Sequence, residues 1–417
     1  MELTFTPSPD VAFVLHALLD RQENRIRRGG LSQPDGAPPV IRSIKIQLAN
    51  LDLPSYFSQT DPEPRLVANH QFQEMARQNW LTLTWPPGET GHLLESVTLS
   101  IPEPLYALLK RDPLANRQNR LETLLLADRF RFAKEDWRSK ILRYALEQMR
   151  AGKSPSPFSL SDMEWNSDLL TVLVALTEVP METPYRVFSV RTFNDSKRFE
   201  RLKPALVRLV RLANPHWKHL AGDELLRELN LASNPTFIPF SGNWEFTTNR
   251  GEILSLGGFT PSMGFQAAQS TSIQAVAAHS EAVLCIENLT TFHEFSRGLP
   301  TQPPAFAAVC ILGNPSPPIR RLLRLIPDKT PIYLWADLDY GGFNILSQLR
   351  QLVNPNVKPY RMDISTFEAY AHLARPLTES DARHLKRLAL RPELQDVQPV
   401  IQHLIEKRLK LEQEAIS

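Results

Sequence analysis

The last third of the chain carries three apolar runs in which nothing alternates with polar residues: 282–286 (AVLCI), 306–312 (FAAVCIL) and 331–336 (PIYLWA). Short, even runs of this kind predict strands covered on both faces. Apolar positions at helical spacing follow each run, near residues 290–295, 319–325 and 343–353. Strand–helix alternation at this spacing predicts a parallel sheet with right-handed crossovers, and further helices follow Asp363. Upstream the pattern is more mixed. A helix is expected from Asp10 as N-cap through Leu19 to Gly29 and Gly30. Alternation in 41–48 and 94–101 predicts two strands, and a long charged helix is expected over 120–149, with Leu121, Leu125, Trp137, Ile141 and Ala145 at helical spacing. A helix at 169–179, a strand at 185–190 (YRVFSV), a polar turn at 194–198 and a basic amphipathic helix at 201–212 come next. Short strands at 236–239 and 244–247 lead into the final block.

Composition sets the bounds. The 417 residues suffice for two or three domains with substantial cores. The 35 prolines punctuate the chain, and 29–39, 85–90 and 153–157 read as loops or linkers. No apolar stretch reaches the roughly 18 to 20 residues of a membrane span, and the N-terminus lacks the pattern of a signal peptide, so a cytoplasmic protein without a membrane partner is expected. Cys285 and Cys310 both fall inside apolar runs, which predicts buried, reduced thiols. The net charge is only +2, but residues 191–211 hold Arg191, Lys197, Arg198, Arg201, Lys203, Arg208 and Arg211 against Asp195 and Glu200. Such a stripe suits phosphate, and equally suits a solvated helix face.

The chemistry is carried by acids at the ends of the apolar runs. Glu287 ends the first, and Asp337 and Asp339 end the third. Ligands of open α/β sheets bind beyond the C-terminal ends of the strands. Carboxylates gathered there suit Mg²⁺, with Mn²⁺ as a substitute, and hence phosphoryl chemistry. Gly341 and Gly342 after the aspartates allow a tight turn into the next helix. The competing reading is a surface turn capped by Asp339. Asp195 to Arg198 allows either DNA-phosphate contacts from Lys197 and Arg198 or a turn in which Asp195 caps the next helix. His216 and His219 have metal-site spacing but no companion ligands, so a surface turn is expected. His293 lies six residues after Glu287 and is expected to pack or face solvent. Arg320, Arg321 and Arg324 allow a DNA path or a solvated face.

A glutamate after the first strand, Gly313 after the second and Asp337-x-Asp339 after the third resemble a Toprim domain. More narrowly, residues 283–288, 334–346 and 188–200 resemble the JetD family, nuclease subunits of Wadjet plasmid-defence systems, related to the DNA-cutting subunit of type IIB topoisomerases. The likeness spans about residues 165–375, and the first 160 residues match poorly. The resemblance implies a multi-domain α/β protein: an N-terminal arm-like domain (1–160), a winged-helix-like domain with its connector (161–275) and a C-terminal Toprim domain (276–417). It implies that Asp337 and Asp339 hold Mg²⁺ and that Glu287 is a metal ligand or general acid/base. Lys197, Arg198 and Arg201 would contact double-stranded DNA. The expected activity is metal-dependent cleavage of plasmid DNA by a homodimer working with an SMC–kleisin motor complex. Two rivals remain. One is a noncatalytic DNA-binding adaptor, although such a protein has no physical reason to keep mutually repelling carboxylates together. The other is a topoisomerase-like enzyme with Tyr185 as nucleophile, disfavoured because Tyr185 opens a strand that reads as structural.

Overall fold

The computed structural model describes residues 5–29, 43–129, 131–218, 220–298 and 306–416. The chain divides into two compact units, Met1–Val174 with Arg208–Pro215, and Ala175–Val207 with His216–Ser417. The mixed α/β architecture expected from the sequence is found.

The first unit opens with α1 (Pro9–Gly29), β1 (Ile44–Gln47), α2 (Glu63–Arg77), β2 (Leu81–Thr84), β3 (Ser96–Leu99) and α3 (Glu103–Leu108). The strands make an antiparallel sheet of order β1-β3-β2, with Val97 paired to Ile46 on one side and Leu83 on the other. Val14, Leu15 and Leu18 of α1 and Phe72 and Met75 of α2 share a core with Ile46 and Val97. The expected loop at 30–39 lies outside the described residues. Three helices follow: α4 (Leu114–Arg129), α5 (Trp137–Arg150) and α6 (Met163–Ala175). The single long helix expected over 120–149 is therefore two. Asp136 accepts the N–H of Arg138 at 2.8 Å and caps a fresh start at α5. Leu121, Leu125, Ile141 and Ala145 are buried, so the helical period located the inner faces but not the break.

In the second unit, β4 (Thr183–Pro184) leads into α7 (Tyr185–Phe193), α8 (Arg198–Ala213), α9 (Gly222–Glu228) and β5 (Leu231–Ala232). Residues 185–190 form a helix, not the strand expected from their β-branched and aromatic content. Tertiary packing overrides that preference. Tyr185 and Phe188, three residues apart, turn one face onto Phe199 with ring centroids at 5.6 and 5.0 Å. Asn194 in the left-handed region (φ 55°) ends α7, and Ser189 Oγ ties the turn to α8 by accepting the Phe199 N–H. The result is two helices joined by a short polar turn.

The strands β6 (Phe237–Ser241), β7 (Trp244–Thr248), β8 (Ile253–Ser255), β9 (Met263–Gln266) and β10 (Ile273–Ala278) precede the alternating block. That block runs β11 (Ala282–Ile286), α10 (Leu289–Gly298), β12 (Phe306–Cys310), α11 (Pro317–Arg324), β13 (Ile332–Trp335), α12 (Tyr340–Leu352) and β14 (Lys358–Pro359). The chain finishes with α13 (Ile364–Ala369), β15 (Arg375–Pro376), α14 (Glu379–Leu388), α15 (Gln398–Lys407) and β16 (Leu409–Lys410). The main sheet has the order β14-β13-β11-β12-β6-β9, parallel from β14 to β12 and antiparallel beyond. Its central strand β11 is buried at every position, as the unbroken apolar run required. A second antiparallel sheet, β10-β7-β8, contributes Trp244 and Phe246, which pack with Phe240 and Phe265 of the main sheet.

Helix α9 is tied to the sheet by polar contacts. Arg320 of α11 is buried and makes two bonds of 2.7 Å to the Glu228 carboxylate. Asn314 Nδ2 donates to Glu224 Oε1 at 2.8 Å. Removing one partner of a buried bidentate pair strands the other charge, at a cost of about 3 kcal/mol or more. Arg320→Met is thus expected to lower the midpoint of chemical denaturation clearly. An unchanged midpoint would show that the pair adds nothing to the hold of α9 on the sheet.

Candidate active site

The parallel register sets Ile286 of β11 beside Trp335 of β13, so the first residues past both strands emerge side by side. Glu287 donates its N–H to the Trp335 carbonyl at 3.0 Å, and Asp337 donates its N–H to Glu287 Oε2 at 3.2 Å. Asp337 Oδ1 accepts the N–H of Gln413 at 2.6 Å, and Asp339 Oδ1 accepts the N–H of Gly342 at 3.0 Å. Each of the three carboxylates is therefore oriented by one backbone donor, with its second oxygen left over. Lys410 Nζ stands 3.9 Å from that second oxygen of Asp339. The glycines serve the turn as expected. A Cβ on Gly342 would lie 2.0 Å from the Asp337 carbonyl oxygen, which only glycine tolerates. Gly313, with φ +85°, closes the neighbouring strand end by donating to the Glu287 carbonyl at 3.3 Å.

This geometry is electrostatically loaded. Burial, then the Asp337 carboxylate, pushes the Glu287 carboxyl up to about 8. Burial also pushes Asp337 up to about 6, with Asp339, Glu414 and Glu412 adding to the rise. The structure thus adds two glutamates and Gln413 from the end of the chain, plus Asn288, whose side chain donates to Glu414 at 2.6 Å. Motif reasoning missed Glu412, Gln413 and Glu414 because they lie over 70 residues from Asp337 and belong to no strand-end pattern; the sole sequence signal was the acidity of the two glutamates.

The clustered carboxylates offer hard oxygen donors, with Lys410 Nζ beside Asp339 alone. That donor chemistry fits Mg²⁺ or Mn²⁺. Among the described residues no three acidic, histidine or cysteine side chains already close around a common point. Mg²⁺ commonly keeps several waters and takes only one or two protein carboxylates, so a closed cage is not required.

The other candidates sort clearly. Lys197 and Arg201 are exposed at the start of α8, and Arg198 is its first residue. Asp195 accepts the Lys197 N–H at 2.8 Å and shapes the turn before α8. A cleft of about 630 Å³ beside these helices is lined in part by Arg186, Lys203 and Asn234. Tyr185 is buried and donates its hydroxyl to Asp223 at 3.0 Å, while Lys203 pairs with the same carboxylate at 2.8 Å. Burial and Asp223 push that phenol well above its ordinary range, the opposite of an activated nucleophile. Of the three arginines of α11, Arg320 is buried, Arg321 is half-buried and Arg324 is exposed. Arg320 pairs with Glu228, and the other two donate to the carbonyls of Ser270 and Leu352. His293 is exposed on α10, and His219 lies outside the described residues. Cys285 and Cys310 are free and buried, with thiols pushed up to about 12 and about 11 by burial.

A pH dependence follows from Glu287. Without a cation the folded protein keeps this proton to about pH 8, whereas the unfolded chain loses it near a pKa of about 4.3. The folded state holds more protons across that window, so stability falls as pH rises from about 5 to about 8. Thermal unfolding of ion-free protein should show a lower midpoint at pH 8 than at pH 5, and Glu287→Gln should flatten the difference. Identical pH slopes in both proteins would contradict the burial of this carboxyl.

Residues 254–417, which include all three strand-end carboxylates, match the family model described as Wadjet protein JetD, C-terminal. Over 411 residues the chain is 22% identical to the Wadjet protein JetD of Bacillus cereus (strain Q1), covering 97% of each chain. The likeness thus reaches the N-terminal unit as well as the sheet. Among the described residues no helix is long and apolar enough to cross a membrane. Residues 254–417 thus resemble the C-terminal domain of Wadjet protein JetD, and the chain is similar to one such protein from end to end.

Proposed function

We propose that this protein is the metal-dependent endonuclease subunit of a Wadjet-type defence system and cleaves double-stranded plasmid DNA by hydrolysis at a Toprim-type site. The observation that carries the reading is the Glu287–Asp337 contact at the ends of two neighbouring parallel strands, with Asp339 two residues on. In this reading Glu287, Asp337 and Asp339 hold Mg²⁺. The bound ion would lower the pKa of a water and offset charge on the phosphate. Water attacks phosphorus, its proton passes to a base, and the chain break releases a 3′ or 5′ oxygen that takes up a proton. Glu287, whose Oε1 is not engaged by the backbone donor, is positioned to hold the ion or take that proton.

The DNA is held by the exposed basic start of α8. Lys197, Arg198 and Arg201 neutralise phosphates and fix the position of the duplex without reading sequence. A winged-helix-like module is supported by the pair α7 and α8 and by the tie of α9 to the sheet through Glu224 and Glu228. Cutting both strands needs two sites, hence a homodimer. An SMC–kleisin motor in the cytoplasm would deliver the plasmid. Covalent chemistry at Tyr185 receives no support, because Asp223 keeps its phenol protonated.

Incubation of the protein with its partners, Mg²⁺ and circular plasmid should give linear product. Glu287→Gln and Asp337→Asn should cut at least about a hundredfold more slowly, the scale for losing one preorganised contact to developing charge. Tyr185→Phe should cut as the wild type does. Equal cutting by the two carboxylate variants would dispose of the proposal. In DNA-binding titrations, Lys197→Ala and Arg201→Ala should each flatten the log–log salt slope by about one. An unchanged slope in both would remove α8 from the interface.

A further inference from the structure

The end of the chain lies against the acidic centre. Gln413 is completely buried, and three of its polar groups reach different parts of the two strand ends. Its backbone N–H donates to Asp337 Oδ1 at 2.6 Å, its Oε1 accepts the Asn288 N–H at 3.0 Å, and its Nε2 donates to the Trp335 carbonyl at 2.9 Å. Asn288 directly follows Glu287, and the Trp335 carbonyl also accepts the Glu287 N–H. One residue thus spans the ends of both carboxylate-bearing strands.

Anchoring the chain end does not explain this. Leu411 and Ile416, exposed by 1% and 2%, already pack the segment into the core. Leu338 and Leu411 exchange backbone hydrogen bonds at 2.8 and 3.2 Å, and Arg361 donates to the Ile416 carbonyl at 3.0 Å. A buried amide costs desolvation energy unless fully bonded. An apolar side chain would seat the segment equally well. What the amide adds is direction: it fixes the two strand ends relative to each other, and the backbone N–H beside it fixes one oxygen of Asp337.

We propose that Gln413 is a positioning residue for the acidic centre, holding Asp337 so that its second oxygen, with Glu287, is presented to a divalent cation. The proposal rests on the metal-binding reading above and adds a residue from the far end of the chain to it. Losing a group that orients a metal ligand typically weakens metal binding or activity by about 10–100-fold.

The test is a calorimetric Mn²⁺ titration of full-length protein, backed by thermal unfolding and DNA binding. Gln413→Met keeps the shape and the backbone N–H but loses both side-chain bonds. The expected result is tenfold or weaker Mn²⁺ binding in a folded variant with wild-type DNA affinity. If Gln413→Met does not fold, Gln413→Asn, one methylene short, carries the same expectation in weaker form. A folded variant that binds Mn²⁺ as the wild type does overturns the positioning role. The metal reading fails differently: wild type itself would then take up no Mn²⁺, which sinks both. Wild type that binds Mn²⁺ but leaves plasmid intact would end the nuclease assignment alone.

Discussion

Everything at the candidate site depends on one unfavourable arrangement, two half-buried carboxylates held side by side at the ends of adjacent parallel strands. Left alone, such a pair avoids ionising together, and burial makes the cost steeper. The fold tolerates it because each carboxylate is directed by a backbone N–H: Asp337 for Glu287, Gln413 for Asp337 and Gly342 for Asp339. Perturbed carboxyls clustered in this way are a common mark of functional sites. A structural role offers no equivalent reason for the strain.

The elements around the pair extend this control outward. Gly313 closes the neighbouring strand end against the Glu287 carbonyl. Asn314, next in the chain, is held by Glu224 of α9, and the adjoining Asp223 grips both Tyr185 and Lys203. A chain of named contacts therefore runs from the two helices bearing the basic residues to the loop beside Glu287. The three arginines of α11 are consumed in building this frame. At the start of α8, Lys197 and Arg201 remain exposed.

Much of this was legible in the sequence where local pattern and final environment agree. Strand β11 reads as an unbroken apolar run because helices and strands cover it on all sides, and the Gly341–Gly342 pair reads as a tight turn because no side chain fits at Gly342. The failures have equally physical causes. Residues 185–190 favour a strand by composition, but packing on Phe199 makes them a helix. The break before Trp137 hinged on a single capping carboxylate inside an otherwise helical pattern. Gln413, Glu412 and Glu414 could not be assigned to the site, because their approach to Asp337 depends on how the whole C-terminal segment returns along Leu338. Contacts of that separation leave no periodic trace.

The central claim is that Glu287, Asp337 and Asp339 form one cation site. Anomalous scattering from crystals soaked in Mn²⁺ tests it most directly. The account predicts a peak within about 2.1 Å of carboxylate oxygens from both strand ends, the distance at which hard divalent ions take such ligands. A saturated crystal with no peak there, or with manganese bound only elsewhere, would contradict it.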